Sequence, residues 1–243
     1  MVINMKASKV LYLTIFFLII LIFSILIIYS VRINRDTVSI SDEIKFKDEY
    51  ESLNSVKNDD GSNKYVPINI LENNKIKYSN FEEVYNIIKN GTGVIFFGFP
   101  ECPWCRRTLN TFLNATSKYD IDNIYYFNAL EIRDKKHLDE DGNVIVDKEG
   151  TKEYYKLIEA LYSFLGEYDG LNDITLKRLY FPTYLFIKDG NVIGIQIGSV
   201  ASYTSTKEEM NEEQKEELEN IFENYLDKIY TKKEICDDKT PVC

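Results

Sequence analysis

Histidine is nearly absent from this chain of 243 residues, and His137 is the only one. It lies in a strongly charged segment, where a solvated side chain is expected rather than a ligand. Catalytic triads and histidine-rich metal sites are therefore essentially excluded. Basic residues are fewer than acidic ones, 29 against 39, which gives a net charge of −10. Nucleic-acid binding needs clustered lysine and arginine, so this charge argues against a nucleic-acid partner.

Cysteine is also scarce, but its placement is informative. The four cysteines form two pairs that are local in sequence, Cys102 with Cys105 and Cys236 with Cys243. Hydrophobic residues make up 44% of the chain and aromatic residues 14%, which is ample for a core and excludes global disorder. The length allows one sizeable domain with additional segments.

The longest apolar run is Val10–Val31, 22 residues without a charge. As a helix it would be ~33 Å long, which matches a bilayer core of ~30 Å. The run predicts a transmembrane anchor over residues 10–31, after a short tail of residues 1–9. A cleaved signal peptide is the alternative. The run is longer than the usual apolar stretch of about 7–15 residues, and Ile28–Ser30 matches a cleavage site poorly, so the anchor is favoured.

The orientation of this anchor is nearly balanced by charge, since two basic residues precede the run and two follow it: Lys6, Lys9, Arg32 and Arg35. The free amine favours a cytoplasmic N-terminus, which would place the rest of the chain outside the cytoplasm. Residues 32–63 are polar and predict a linker that holds a domain off the membrane. Phe46, Tyr50 and Leu53 have helical spacing and indicate a short helix within it.

The central stretch of the chain predicts a strand, a tight turn, a cysteine pair and a helix. Val94–Phe97 is β-branched and aromatic, and Gly98 and Pro100 end the strand. Cys102 and Cys105 then begin a helix whose apolar side carries Leu109, Phe112 and Leu113.

A cysteine at a helix N-terminus faces unpaired backbone N–H groups and the positive end of the helix dipole, which favour the thiolate. Cys102 is therefore predicted to be the nucleophile, and Cys105, one turn later, the resolving thiol. This interpretation requires the two thiols to lie together and to be exposed, and buried thiols would argue against an enzyme. Arg106 and Arg107 add positive charge nearby, or point into solvent.

Further elements surround this motif. A strand is predicted over Tyr65–Ile70, a helix over Phe81–Lys89 capped by Ser79 or Asn80, and a strand over Ile124–Leu130 parallel to the first. A charged segment with a hairpin at Asp141–Asn143, a helix over Lys152–Leu165, and a final helix capped by Ser205 or Thr206 complete the set.

A strand over Leu179–Lys188 carries Pro182 near its start, and a turn at Asp189–Asn191 joins it to a second strand, Val192–Ile197. Together with the cysteine motif, these features resemble the thioredoxin superfamily over roughly Lys64 to Tyr230. The resemblance implies an α/β fold over residues 64–231, with a mixed central sheet flanked by helices and an insertion before the proline strand. It also implies that Pro182 is a cis-proline beside the redox cysteines, and that the backbone of Phe181 pairs with an incoming peptide.

The N-terminal apolar run, GFPECPWC and FPT resemble more narrowly the thioredoxin-like bacteriocin transport accessory proteins, which are membrane-anchored. The resemblance implies a thiol–disulfide oxidoreductase at the cell membrane, with its domain outside the cytoplasm, acting on secreted or surface proteins and peptides together with an unidentified redox partner. No organic cofactor is expected, because the cysteines carry the electrons. Trp104 would grip apolar substrate surface, or pack over the motif. The alternative is a non-catalytic interaction module beside a membrane transporter.

Two departures from thioredoxins concern proton transfer and redox direction. Phe96 stands six residues before the first cysteine, where thioredoxins carry a buried aspartate. Glu101 beside Cys102 could replace that carboxylate, or could raise the pKa of the thiol by repulsion. Pro103–Trp104 resembles the glutaredoxin motif more than the thioredoxin one, and the motif alone does not fix the direction of exchange.

The second cysteine pair lies in a tail of residues 232–243, and three interpretations are open. Cys236 and Cys243 form a structural disulfide, act as a mobile relay to Cys102 and Cys105, or bind zinc together with them. The spacing of six residues between the tail cysteines lies outside the usual zinc patterns, so zinc is the weakest of the three, and no metal is predicted.

Overall fold

The computed structural model describes residues 12, 15–24 and 40–233, and divides the chain into two units, Met1–Ser41 and Asp42–Cys243. In the first unit residues 15–24 are helical. Among the described residues, no helix combines the length and the apolar character that crossing a bilayer requires. The remainder of the predicted anchor, Val10–Val31, lies outside the described residues, as do Cys236 and Cys243 of the tail.

The second unit is built on a five-stranded mixed sheet. Its strands are β1 (Ile76–Tyr78), β2 (Gly93–Phe97), β3 (Ile124–Phe127), β6 (Thr183–Lys188) and β7 (Asn191–Ile197), in the spatial order β1-β3-β2-β6-β7. Strands β1, β3 and β2 are parallel, whereas β6 and β7 are antiparallel to their neighbours. The predicted parallel pairing of the motif strand with the next strand along the chain is therefore confirmed.

The helices flank this sheet. They are α1 (Asp42–Ser52), followed by a 3-10 turn at Leu53–Ser55, α2 (Phe81–Asn90), α3 (Pro103–Ser117), α4 (Lys152–Leu161) and α5 (Glu212–Leu226). Asn80 caps α2, because its side chain accepts a hydrogen bond from the Glu83 N–H while the Glu83 carboxylate accepts one from the Asn80 N–H. The predicted α/β class, with a mixed sheet and flanking helices, is confirmed.

An insertion separates β3 from β6, as predicted. It contains helix α4 and a two-stranded antiparallel sheet of β4 (Lys135–Leu138) and β5 (Val144–Lys148). Gly142 lies in the turn between these strands with a φ of 84°, a left-handed conformation that glycine adopts without strain. The predicted hairpin is therefore present.

Helix α1 belongs to the core of the second unit. Phe46 and Tyr50 are fully buried, and the Phe46 ring lies 4.9 Å from the Tyr126 ring and 6.3 Å from the Phe96 ring. The interpretation of residues 32–63 as a spacer is therefore wrong from Asp42 onward, and the predicted boundary at residue 64 falls inside the unit. The short helix itself was predicted correctly from its spacing.

The strand predicted at Tyr65–Ile70 is absent from the described fold, because this segment pairs with side chains of the α1 region instead of with a strand. The Ile68 N–H donates to Asn54 Oδ1 at 3.0 Å, and the Ile70 N–H donates to Glu51 Oε1 at 2.6 Å. The hydrophobic side chains of Ile68 and Ile70 are still buried. Alternation of apolar residues therefore identified the buried positions but not their backbone partners.

Other boundaries also moved. The final helix begins at Glu212 and not near Thr206, because Asn211 forms a capping box with Gln214. The helix predicted to reach Leu165 ends at Leu161, and the proline strand begins only at Thr183.

Candidate active site

The cysteine motif follows the C-terminal end of strand β2. All five residues of this strand are buried. After a turn at Gly98–Glu101, Cys102 is the N-cap of α3 and Pro103 occupies the first helical turn. Proline suits this position because its missing N–H has no intrahelical partner there. The predicted order of strand, turn, cysteine pair and helix is confirmed.

The two motif cysteines lie together as free thiols. The Cys105 N–H donates a hydrogen bond to Cys102 Sγ at 3.2 Å, and the Cys102 thiol donates to the Phe181 carbonyl oxygen at 3.6 Å. Both residues are buried, and Cys102 is only 3% exposed. The expectation of proximity is met, whereas that of exposure is not, and direct access of a substrate to the Cys102 sulfur requires the covering side chains to move.

The environment separates the acidities of the two thiols. The pKa of Cys102 is lowered, first by the hydrogen bond from the Cys105 side chain and then by the N–H groups of Cys105 and Trp104 and the charge of Arg133, which together outweigh burial. Burial raises the pKa of Cys105, and the hydrogen bond to Cys102 adds to this. Cys102 therefore ionises first, as a nucleophile would, and Cys105 remains protonated.

Pro182 lies beside this pair, at the start of β6. The Phe181–Pro182 peptide bond is cis, as predicted. Because the Phe181 carbonyl contacts Cys102 Sγ, the fold brings together two parts of the site that are 79 residues apart in the chain. The Pro182 carbonyl accepts a hydrogen bond from the Gly198 N–H at 2.9 Å, which fixes this turn against the end of β7.

A groove beside the cysteines contains the two aromatic residues predicted to bind substrate. Trp104 and Phe181 line a cavity of about 380 Å³ together with Tyr180, Val200 and Tyr203. Trp104 is half-buried, and its ring packs edge-on against Tyr203 at 5.6 Å. It therefore both packs against the fold and presents apolar surface to the groove.

Phe96 and Tyr184 form an aromatic wall in the buried region around Cys105. Phe96 is fully buried and stacks on Tyr184 with ring centres 5.1 Å apart. A Cβ atom at Gly98 would lie 2.4 Å from the Phe96 ring and 3.2 Å from Cys105 Sγ, so only glycine fits there. The place of the thioredoxin aspartate is thus filled by a hydrocarbon ring, and Glu101 is exposed. This wall supplies the burial that keeps Cys105 protonated.

The sequence interpretation left Arg106 open between a position near the motif and solvent, and it did not name Arg133 as part of the site. Arg106 is 2% exposed, and its guanidinium donates to the carbonyls of Tyr50 at 2.7 Å, Pro100 at 3.1 Å and Val66. Helical spacing could have placed Arg106 on the buried face of α3, since it precedes Leu109 by three residues and Leu113 by seven. Arg133 lies with its guanidinium carbon 4.7 Å from the centre of the Phe181 ring, and no sequence signal indicated this contact.

No group of three or more metal-ligating side chains occurs among residues 12, 15–24 and 40–233. The zinc alternative needs the tail cysteines, which lie outside this part of the chain. Comparison with models of known protein families finds no match, and a search of curated proteins also finds no match. The function must therefore be inferred from the residues and their geometry.

Proposed function

We propose that the chain is a thiol–disulfide oxidoreductase of thioredoxin-like fold, with Cys102 as the nucleophile and Cys105 as the resolving thiol. The observation that carries this proposal is the position of Cys102 at the start of α3. There it accepts the Cys105 N–H, lies against the Phe181 carbonyl, and has a lowered pKa beside a partner whose pKa is raised.

The topology supports the fold part of the proposal. A mixed sheet with parallel β1, β3 and β2, followed by an antiparallel β6 that begins after a cis-proline, is what the resemblance to the thioredoxin superfamily implies. The motif helix α3 follows β2 directly, and the insertion between β3 and β6 accounts for the long separation between the cysteines and Pro182.

The chemistry is two successive thiol–disulfide exchanges. The Cys102 thiolate attacks one sulfur of a substrate disulfide, so that a Cys102–substrate disulfide forms and the other substrate sulfur leaves as a thiolate. Cys105 then loses its proton and attacks Cys102 Sγ, which closes the Cys102–Cys105 disulfide and releases the second substrate thiolate. Two electrons pass from the enzyme dithiol to the substrate, and the same steps run backwards when a substrate dithiol meets the enzyme disulfide.

The groove supports a peptide or protein substrate. Trp104 is half-buried and lines the groove with Phe181 and Tyr203, which are largely buried, and aromatic side chains of this kind bind extended peptides without requiring a fixed sequence. The Val10–Val31 run supports a further part of the proposal, that the enzyme is held at the cell membrane with this domain outside the cytoplasm. Detection of the full chain in washed membranes, with the domain open to added protease in intact cells, tests that part.

The near-complete burial of Cys102 favours the second candidate, a non-catalytic interaction module in which the cysteines are structural. Trapping separates the two. In full-length protein with both tail cysteines changed to serine, Cys105→Ser should accumulate a mixed disulfide with a peptide disulfide, seen as an added mass. Cys102→Ser, the matched control, should accumulate none. Equal and negligible trapping by both variants would support the interaction module.

A further inference from the structure

A second cavity, of about 340 Å³, lies at the start of the insertion and is strongly basic. Five cationic side chains line it: Arg133, Lys135, Lys136, Lys148 and Arg178. Only two carboxylates face them, those of Glu131 and Asp134. The local balance is therefore +3, five cations less two anions, in a chain whose net charge is −10.

Two of the three lysines of this basic cavity, Lys136 and Lys148, have anionic partners. Lys136 Nζ lies 2.9 Å from the buried Asp134 carboxylate. Lys148 Nζ donates to the Glu131 carbonyl at 2.6 Å and lies 4.0 Å from the Glu131 carboxylate. Each of the two carboxylates thus pairs with a lysine, while Asp134 Oδ1 is buried without a hydrogen-bond partner and neither carboxylate forms an ion pair with an arginine.

Among the residues that the structure describes, the arginines have no carboxylate at ion-pair distance, although, against the effect of burial, the charge of Asp134 raises the pKa of Arg133 slightly. Arg133 donates to the Leu179 carbonyl at 3.4 Å, and the Arg178 guanidinium lies 4.3 Å from the Tyr168 ring centre. Within the described ranges, neither arginine has a carboxylate within 4.0 Å, and Arg178 Nε is buried without a hydrogen-bond partner. Burial lowers the pKa of Arg133, and the charge of Arg178 lowers it further. Two adjacent, half-buried cations without a counter-ion are costly unless an anion joins them.

This basic cavity adjoins the reacting sulfur. The Arg133 guanidinium stacks on the Phe181 ring, and the Phe181 carbonyl contacts Cys102 Sγ. The positive charge of Arg133 also acts on Cys102. Arg133 is thus separated from the reacting sulfur by a single residue, Phe181, so a peptide whose cysteine reaches Cys102 would bring a residue near that cysteine to the basic cavity.

We propose that the basic cavity binds a carboxylate side chain of the substrate, so that the enzyme prefers peptides with Asp or Glu near the reacting cysteine. This inference rests on the proposed role of Cys102. Arginine suits the task because its planar fork bonds both oxygens of a carboxylate at once. Two arginines held by Phe181 and Tyr168 provide such a fork next to the groove.

The experiment compares three synthetic peptides that differ at one position, three residues from a single cysteine: Asp, Asn or Lys. Each cysteine carries a neutral 2-thiopyridyl group, and attack by Cys102 forms the peptide–Cys102 disulfide and releases pyridine-2-thione, which is measured by absorbance. The readout is the ratio of rate constants for the Asp and Asn peptides. Because both peptides react with the same sulfur, this ratio is independent of the nucleophilicity of Cys102.

The full chain with both tail cysteines changed to serine should react about tenfold faster with the Asp peptide at low salt, and this preference should shrink at high salt. Arg178→Gln and Arg133→Gln should each lower the ratio to about threefold or less. Lys207→Gln, which removes a cation from a different cavity beside the motif, should leave the ratio unchanged.

The outcomes separate the two proposals. Equal rates for the Asp and Asn peptides, with release that depends on Cys102, would overturn the basic-cavity inference and leave the oxidoreductase standing. Failure of every peptide to react would overturn the oxidoreductase and, with it, the inference. The ratio of the Asp and Asn rate constants is measured first in the protein that keeps both arginines. An arginine variant that fails to fold therefore does not affect this test.

Discussion

Replacing Arg106 with methionine should destabilise the second unit strongly, although the Arg106 guanidinium bonds to carbonyls and an amide away from the cysteine sulfurs. Its guanidinium joins α3 to three separate segments through the carbonyls of Tyr50, Val66 and Pro100. A fourth bond, at 2.6 Å, goes to Asn54 Oδ1. Methionine fills similar volume but donates none of these bonds.

The magnitude follows from burial. Hydrogen bonds to a charged donor contribute about 1.5–3 kcal/mol each, and a buried acceptor left unpaired costs about 1–3 kcal/mol. Removal of the charge also relieves a desolvation cost, which is the cause that lowers the pKa of Arg106. The expected net loss is about 3–5 kcal/mol, comparable with breaking other buried ionic groups, or roughly 6–20 °C in Tm for a domain of this size.

Urea denaturation followed by circular dichroism measures this loss, with Arg107→Met as the matched control. Arg107 is the next residue on α3, but its bonds go to the Thr206 and Lys207 carbonyls and to an exposed Glu209 carboxylate. The control should lose only about 1 kcal/mol. A loss below 1 kcal/mol in Arg106→Met would refute the claim that this side chain holds α1 and the 65–70 segment to the motif helix.

Three further predictions concern the site. In pH-dependent alkylation, Cys102 should titrate below the usual cysteine pKa and Cys105, measured in Cys102→Ser, above it. Cys105→Ala should raise the Cys102 midpoint, because its largest stabilising hydrogen bond is lost. A single shared midpoint would contradict this. Gly98→Ala should lower the free energy of unfolding by about 1–3 kcal/mol, because the added methyl overlaps the Phe96 ring, and Phe96→Leu should partly restore it. An unchanged urea midpoint in Gly98→Ala would contradict this prediction. Trp104→Ala should slow exchange with an apolar peptide disulfide several-fold and leave exchange with a small dithiol nearly unchanged; equal losses would exclude a role in gripping substrate.

The motif was predictable because local rules govern it. Val94–Phe97 has the composition of a strand, and Gly98 and Pro100 end it. The helical pattern that follows places Cys102 at the N-terminus of a helix. The cis bond at Pro182 and its contact with the cysteine followed from the resemblance to a known family. Residues far apart in sequence were thus placed together by analogy and not by periodicity.

The parts that sequence did not reveal depend on side chains bonding to distant backbone. The segment at residues 65–70 has strand-like alternation, but Asn54 and Glu51 take its N–H groups, so no strand pairs with it. The sequence left open whether Arg106 lies near the motif or points into solvent. Its side chain is buried, because carbonyls of three other segments accept its hydrogen bonds. The contact of Arg133 with Phe181 depends on the path of the insertion, which no periodicity describes.

The tail cysteines and half of the predicted anchor lie outside the described residues, so their roles stay predictions. The helix α1 illustrates the limit of composition as evidence. Its polar, charged sequence predicted a spacer, but Phe46 and Tyr50 alone bury enough ring surface to join it to the core.

The most direct test of the central claim is the equilibrium of Cys102 and Cys105 in defined glutathione redox buffers, in the full chain with both tail cysteines changed to serine. Trp104 is the only tryptophan and lies within the motif, so its fluorescence reports the transition. The account predicts one two-electron transition between about −300 and −100 mV, absent in Cys102→Ser. Fluorescence and thiol content that stay constant across this range would contradict a redox role for the pair.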